Sequence, residues 1–484
     1  MVTPIMLQPI VSAQDNIALA YLQGLANLEF EEESIIGKAR NYHNGIQSAK
    51  LTDRMREYLN VSKDAEFRLN ICREVTAAVN ERLGVTGFTS DDENYRSWAW
   101  KLWQDNKMDS KSTDVHEGAL RDGEHFVFVD WDDKNQRVTF LPHQRYVSVG
   151  AGGDSYGCEM VYLNNDINQP QLFAIKWWFE RVDRWILRPR VTAYFPDRIE
   201  KYTNWGGAWE KIKDKDDTDW PIPWVDKDGD PIGIPIIHFK NQGMQPEAKE
   251  AIPVQDCINK ELVDLMAASD MTSFRLFVAL GFIPTSDGKD LKSDGSNALK
   301  VAPGQIVGTT KQGADFKAIE PADPSSLMNI LDRLVQYAAL VTDTPVTRFL
   351  FTKQVSSSET QKQQDSALLA KIRNRQALFG DGWEGCMKIA RTIENTFGTG
   401  GLNEDANIET QWENSEIRDD QVFYNTLAIK RNTLKIPLDQ IWIEAGYSQE
   451  EVDRMKESAE YKASIANMQS AVDLAGALAQ SRQS

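Results

Sequence analysis

The hydrophobic period of this chain changes twice along its 484 residues, and this change limits the folds that it can adopt. Apolar residues recur with a helical period up to about residue 122, alternate in steps of two in runs between residues 124 and 239, and recur with a helical period again from about residue 251. A block of strands between two blocks of helices predicts an α+β protein.

The strand block begins with a predicted hairpin. Residues 125–131 alternate with a period of two, the polar residues 132–135 form a turn, and residues 137–141 form the second strand. Before it, Gly84 is predicted to end one helix and Ser90-Asp91-Asp92 to cap the next. Further strands are predicted at 171–179, 185–194, 197–201 and 232–239.

Two predicted helices, at about 251–275 and 323–343, flank an insert of short strands and loops rich in Gly, Ser and Asp. The second helix follows Pro324, and its apolar residues fit a helical stripe at every step: Leu327, Ile330, Leu331, Leu334, Val335, Ala338 and Val341. Pro345 ends it, because proline disfavours helical backbone at the preceding residue. The strands of the insert are expected at 276–282, 298–301, 305–308 and 314–319.

The last third of the chain is predicted to be mostly helical. A serine-rich loop at 355–360 leads into a long helix to about residue 397, with polar residues in its first half and apolar residues in its second. Gly398-Thr-Gly-Gly401 forms a hinge or linker, and the remainder is expected to be helical to Ser484. This last part is acidic, with 14 acidic and 6 basic residues between Gly401 and Glu460.

The net charge of −18, from 72 acidic and 54 basic residues, argues against a protein that wraps nucleic acid, since that binding depends on cationic side chains. The N-terminus lacks the cationic region and apolar run of a signal peptide, and no run of about 18 apolar residues predicts a transmembrane helix. The four cysteines are widely spaced, which predicts reduced thiols and a cytosolic protein.

The sequence has no GxxxxGK[ST] phosphate-binding loop, no GxGxxG that opens a helix after a strand, and no HExxH. Residues 226–230 resemble the start of a calcium loop, but Pro231 and Ile237 occupy the positions that need Gly and Glu, so a turn is expected. The five histidines are scattered singly: His43, His116, His125, His143 and His238. We therefore predict no catalytic residue, no metal site and no cofactor.

Eleven of the 14 tryptophans lie between Trp98 and Trp224, and tryptophan beside carboxylates is typical of carbohydrate sites. A pair of carboxylates could supply the acid and base of a glycosidase. The candidates are Asp130, Asp132, Asp133, Asp214, Asp216, Asp217 and Asp219. Most lie in loops beside like charges, which favours solvated turns and a structural aromatic core.

The segment from Arg348 to Arg375 is basic, although the chain as a whole is acidic. Its basic residues are Arg348, Lys353, Lys362, Lys371, Arg373 and Arg375, and its two acidic residues leave a net charge of +4. A solvated helix face is the simplest explanation. The segment follows an amphipathic helix and contains the serine-rich loop, an arrangement that suits sliding contact with phosphates better than reading of bases.

Several short runs occur along the chain in a characteristic order. They are Tyr42–Gly45, Asn70–Val75, Arg82–Phe88, Leu102–Asp109, Glu117–Glu124, Ile234–Asn241, Asp256–Asp264, and Thr344-Pro345 before the serine-rich loop. In this order they resemble the portal proteins of tailed bacteriophages, in particular the siphophage portal family, from about Tyr42 to Tyr461. The resemblance implies a portal fold within the α+β class and a ring that is usually dodecameric.

The resemblance also implies a division of the chain. A helical and β-stranded wing would occupy 1–250, two stem helices 251–275 and 323–343, and a β-containing clip 276–322. The tunnel loop would be 344–358, the tunnel helix and its return to the wing 359–400, and the α-helical crown 401–484. The net charge of −18 then suits a conduit, because a like-charged wall lets DNA pass without binding tightly.

The function implied is that of a ring at one capsid vertex of the virion, assembled in the host cytoplasm, through which DNA is packaged and ejected. Its partners would be further copies of the chain, the terminase large subunit, a head-to-tail adaptor, the major capsid protein and double-stranded DNA that passes non-specifically, with no membrane. The six basic residues would contact DNA in the channel. The clip would dock partners through Lys289, Asp290, Lys292, Asp294, Lys300 and Lys311.

Two other classes stay open at this point. One is a different virion structural protein, such as an adaptor or minor capsid component, and the other is a carbohydrate-active enzyme.

Overall fold

The computed structural model describes most of the chain. The described residues are 17–24, 35–47, 69–145, 156–183, 186–214, 217, 219–273, 276–280, 312–313, 315–319, 324–349, 358–415, 420–447, 449–458 and 462. For 165, 270–273, 276–277, 279, 316, 318–319, 358–364, 420–422 and 449–450, only the backbone is described.

The chain divides into two compact units. The first comprises Met1–Asn44, Cys72–Lys249 and Thr342–Ser484, and the second comprises Gly45–Ile71 and Glu250–Val341. Both units combine helices with antiparallel strands, so the α+β class is confirmed. Among the described helices, none is both long enough and apolar enough to cross a membrane.

The first unit contains the following helices and strands in chain order. They are α1 (Ile17–Gly24), α2 (Ile35–His43), α3 (Ile71–Asn80), β1 (Val85–Ser90), α4 (Glu93–Asp105), α5 (Met108–Asp122), β2 (Glu124–Asp132), β3 (Arg137–His143), β4 (Gly157–Tyr162), β5 (Gln171–Asp183), β6 (Ile186–Tyr194), β7 (Arg198–Trp205), β8 (Ala208–Lys211), β9 (Ile222–Pro223) and β10 (Ile236–Lys240). The predicted cap of α4 is confirmed, because the Asp92 carboxylate accepts hydrogen bonds from the backbone N–H groups of Asn94 and Tyr95.

Strand β2 is the middle strand of the sheet β10-β2-β3, and the predicted hairpin with β3 is confirmed. Val127 and Val129 face one hydrophobic core, whereas Phe126 and Phe128 face another. Because successive side chains point to opposite faces, the four consecutive apolar residues Phe126–Val129 let a single strand separate two cores. The strand is therefore buried on both sides for most of its length.

A second, larger sheet has the strand order β4-β5-β6-β7-β8, with β9 paired to β7, and its strands are antiparallel. The predicted strands at 171–179, 185–194 and 197–201 correspond to β5, β6 and β7. One face of this sheet packs a cluster around Phe173 and Trp177, together with Leu22 from α1.

The C-terminal part of the first unit is built around one long helix. Its elements are α8 (Ser358–Phe397), β13 (Ile408–Trp412), α9 (Asp420–Asn432), α10 (Leu438–Ala445) and α11 (Gln449–Glu457), numbered after the second unit's helices. The apolar second half of α8 is confirmed as a core face, since Phe379 and Trp383 are fully buried and Trp383 packs edge-on against Trp103.

The expectation that the chain is wholly helical after Gly401 is wrong. Strand β13 pairs antiparallel with β1, and Ser90 lies opposite Ile408. The alternation in Ile408-Glu-Thr-Gln-Trp412 is short, and its partner strand is more than 300 residues away in sequence. Local periodicity therefore gave no signal for this pairing, which joins two segments that are distant in the sequence.

The second unit contains α6 (Ala251–Ser273), β11 (Leu276–Leu280), β12 (Asp315–Ile319) and α7 (Ser325–Val341). The helices pack against each other and the strands pair antiparallel, as the sequence predicts. The strands expected at 298–301 and 305–308 lie outside the described residues. On α7, Val335 and Ala338 are buried, but Ile330 is 47% exposed, so the chain covers only part of the apolar stripe.

Candidate functional site

The six basic residues predicted to contact DNA lie near the start of Thr342–Ser484, the last of the three segments that make up the first unit. Arg348 ends a short 3-10 turn, Val346–Arg348, and Lys371, Arg373 and Arg375 lie on α8. Lys353 lies outside the described residues, as does the side chain of Lys362. The structure therefore tests the surroundings of four of the six.

Two of these cations converge on one buried carboxylate. Nζ of Lys371 lies 2.9 Å from Oε1 of Glu247, and Nη2 of Arg375 lies 2.9 Å from Oε2 of the same residue. The spacing of four residues places Lys371 and Arg375 on the same face of α8. Nζ of Lys371 also donates to the carbonyl oxygen of Thr342.

Glu247 remains charged in this position. Burial by itself raises the pKa of its carboxyl group, but the charges of Lys371 and Arg375 outweigh burial and hold the pKa below its ordinary value. Removing Glu247 would leave two buried cations without their counter-charge, which costs more free energy than the intact pairs contribute. Lys371 and Arg375 therefore have a structural role within the subunit.

Arg373 lies two residues from each of these cations and is exposed. Residues two apart on a helix point to different faces, so Arg373 does not share the Glu247 side of α8. Its position on the outer face leaves the guanidinium within reach of a macromolecule in solvent.

Two neighbouring residues that follow α3, Glu81 and Arg82, form ion pairs with Arg348 and with Asp365 in the first half of α8. Nη2 of Arg348 lies 2.5 Å from Oε2 of Glu81, and Nη2 of Arg82 lies 3.3 Å from Oδ2 of Asp365. Glu81, Arg82 and Glu247 have no signal in the sequence, because their partners lie 124 to 283 residues away.

The predicted docking residues of the insert lie outside the described residues. These are Lys289, Asp290, Lys292, Asp294, Lys300 and Lys311. Of the insert, the structure describes the strand pair β11 and β12, with Leu280 opposite Asp315, and two residues of the turn before β12.

Several of the carboxylates considered for a carbohydrate site have structural partners. Asp132 accepts hydrogen bonds from the backbone of Lys134 and Asn135 in the hairpin turn, and Asp214 and Asp217 both bind the Lys201 ammonium group. Asp130 differs from the expectation of a solvated turn, since burial raises the pKa of its carboxyl group. Asp216 lies outside the described residues.

The turn at 226–230 and the histidines also have structural roles. Oδ1 of Asp226 accepts hydrogen bonds from the backbone N–H groups of Asp228 and Asp230, which forms the expected turn. The ring of His116 accepts a hydrogen bond from Nε1 of Trp383 at 2.9 Å, and His125 is buried in β2. Within the described part of the chain, no group of three potential ligands is arranged to hold a metal ion.

Comparison with known proteins identifies the family. The family model described as "Phage portal protein, SPP1 Gp6-like" matches residues 38–464, which is most of the chain. The chain belongs to the phage portal protein family. The resemblance carried by the ordered runs is thereby confirmed.

A curated relative of this portal-family chain is the portal protein of Mycobacterium phage D29. The two are 20% identical over 328 residues, which cover 65% of this chain and 62% of the relative. Among solved structures, "Virion of native gene transfer agent (GTA) particle" is similar with a TM-score of 0.38 and 12% identity, over 82% of this chain and 99% of that chain.

Proposed function

We propose that this chain is the subunit of a portal ring at one capsid vertex of a phage virion, through which DNA enters during packaging and leaves at ejection. The family match over residues 38–464 is the observation that carries the proposal. Such a subunit does no bond chemistry itself. Its role is to form a channel and to bind other virion components.

The parts of the ring subunit follow the order of elements in the chain. Residues 1–250 would form the wing, and α6 and α7 the stem. The insert with β11 and β12 would form the clip, because two packed helices that flank an insert can present it at their far end. The tunnel loop would be 344–358, α8 the tunnel helix, and the part after Gly401 the crown.

The DNA-contacting role is proposed for the cations that are not buried in the subunit. Arg348 and Arg373, together with Lys353 and Lys362, would contact phosphates as DNA slides through the channel. Lys371 and Arg375 are better explained by their ion pairs with Glu247. The overall charge of −18 per subunit would keep the remaining wall from binding DNA tightly.

The partners proposed are those of a portal. Copies of the chain would form the ring, which we expect to be a dodecamer assembled in the host cytoplasm. The clip residues at 289–311 would dock the terminase large subunit during packaging and a head-to-tail adaptor afterwards. The wing would contact the major capsid protein.

Negative-stain imaging of the purified full chain tests the proposal directly. We expect rings with an axial channel, and class averages should give the number of subunits. A chain that stays monomeric at micromolar concentration in sedimentation experiments, and that forms no ring on imaging, would count against a portal. It would favour a different virion component.

A further inference from the structure

Two neighbouring residues of opposite charge, Glu81 and Arg82, bind the residues on either side of one chain segment. Glu81 binds Arg348, and Arg82 binds Asp365. The segment between these partners, 349–364, contains Lys353 and Lys362, two of the cations proposed to contact DNA. The charges are complementary in both pairs, because the acidic Glu81 faces a basic residue and the basic Arg82 faces an acidic one.

Glu81 and Arg82 are themselves held in place. They continue the last turn of α3, where the backbone N–H of Glu81 donates to the carbonyl of Ala77 and that of Arg82 donates to the carbonyl of Val79. Val79 and Leu83, on either side of the pair, are buried in the main core of the first unit. Two charged side chains thus project from a backbone that core packing fixes.

The two ion pairs differ in burial. The Asp365 side chain is 9% exposed, whereas the Glu81 side chain is 60% exposed. A buried carboxylate loses much more free energy when its partner is removed than an exposed one does, and salt screens exposed pairs most strongly. The Arg82–Asp365 pair is therefore the stronger attachment, and the Glu81–Arg348 pair is the weaker one.

We propose that Glu81 and Arg82 form a two-charge anchor that positions both ends of the 349–364 segment. They are positioning residues: they bind the residues that flank the segment, and Lys353 and Lys362 lie within it in the sequence. The role given to the segment rests on the proposed function, whereas the anchor rests on the contacts alone. Because Glu81 and Arg82 are adjacent, the anchor also keeps Arg348 close to the start of α8.

Hydrogen exchange measured by mass spectrometry on the full chain tests the anchor without DNA. In the Arg82→Ala variant we expect the amides just after Asp365 in α8 to exchange about three- to tenfold faster. Asp365→Ala should give the same increase, and the double variant no further increase, because both changes remove one interaction. Lys388→Ala, which removes an exposed cation from the same helix, should leave these amides unchanged.

Two further measurements separate a positioning role from a general loss of stability. Exchanging the charges, with Arg82→Asp and Asp365→Arg in one chain, should restore most of the protection. In the unmodified chain, raising the salt concentration from 0.1 to about 1 M should speed exchange at 346–349 more than at the amides after Asp365. This last comparison needs no variant, so it holds even if a substituted chain fails to fold.

Unchanged exchange after Asp365 in the Arg82→Ala variant would overturn the proposal, as would increases that simply add in the double variant. Equal salt sensitivity at both ends would also contradict it. These results do not depend on ring formation. If the unmodified chain forms no ring but shows the expected exchange, the proposed function fails and the anchor stands.

Discussion

Nη2 of Arg375 donates to Oε2 of Glu247 at 2.9 Å, and both side chains are at least 94% buried. Lys371 binds the other oxygen of the same carboxylate and the carbonyl of Thr342. This carboxylate thus joins the long helix α8 to the point where the chain leaves the first unit, at Lys249. Thr342, where the chain returns, is held by the same lysine.

Replacing Glu247 by Gln should lower the free energy of unfolding by about 3 kcal/mol, because it leaves two buried cations without a counter-charge. Urea denaturation followed by tryptophan fluorescence measures the loss. Glu250→Gln, at an exposed position nearby, is the matched control and should change the free energy by less than about 0.5 kcal/mol. Equal effects of the two substitutions would contradict the structural role of Glu247.

Replacing Arg373 by Gln should separate DNA handling from stability. Because Arg373 is exposed, we expect the unfolding midpoint to stay within about 1 °C of the original. Phage carrying the variant should package or retain less DNA, measured as genome copies per particle. Arg375→Gln should instead lower the unfolding midpoint. Full genome content in the Arg373→Gln phage would remove this residue from the proposed channel.

The buried histidines His116 and His125 should make the protein less stable as the pH drops from 7.5 to 5. Burial lowers the pKa of His116 to about 3 and that of His125 to about 4, so both stay neutral in the folded chain. Below about pH 6.5 these histidines bind protons only when the chain unfolds, which favours the unfolded state.

Between about pH 6.5 and its pKa in the folded chain, each such histidine lowers the free energy of unfolding by up to about 1.4 kcal/mol for every unit by which the pH falls. Urea midpoints measured at intervals of half a pH unit give the slope. Glu247, whose pKa is lowered, loses its contribution only as the pH falls below its ordinary pKa of 4.5. A midpoint that is constant between pH 7.5 and 5 would show that the histidines are accessible to protons in the folded chain.

Replacing either of two glycines on α8 by alanine should change the stability of the protein, but in opposite directions. A Cβ atom at Gly382 would lie 2.7 Å from Cε1 of Phe239, whereas one at Gly385 would lie 3.5 Å from Cγ2 of Ile237, an ordinary contact. Gly382→Ala is expected to cost about 1–3 kcal/mol through overpacking. Gly385→Ala should stabilise by up to about 1 kcal/mol, since alanine favours helices. Thermal unfolding of the two variants side by side decides between these signs.

Much of the secondary structure follows from local patterns. The hairpin of β2 and β3, the helices α6 and α7, and the apolar second half of α8 are all visible as periodicity, and Asp92 is a recognisable cap. These features depend on residues within one or two turns of each other, so a single sequence contains the information. The pairing of β1 with β13 was missed because the two strands are far apart in the chain.

The sequence by itself determined the α+β class, the order of the helical and stranded blocks, and the family, because periodicity and motif order are properties of the linear chain. Only the tertiary structure decided that Lys371 and Arg375 share one buried carboxylate, that of Glu247. Lys371, Arg373 and Arg375 look alike in the sequence, but Glu247 approaches only one face of α8. The free energy of a charge depends on its burial and on its nearest counter-charge, and both are set by residues distant in the chain.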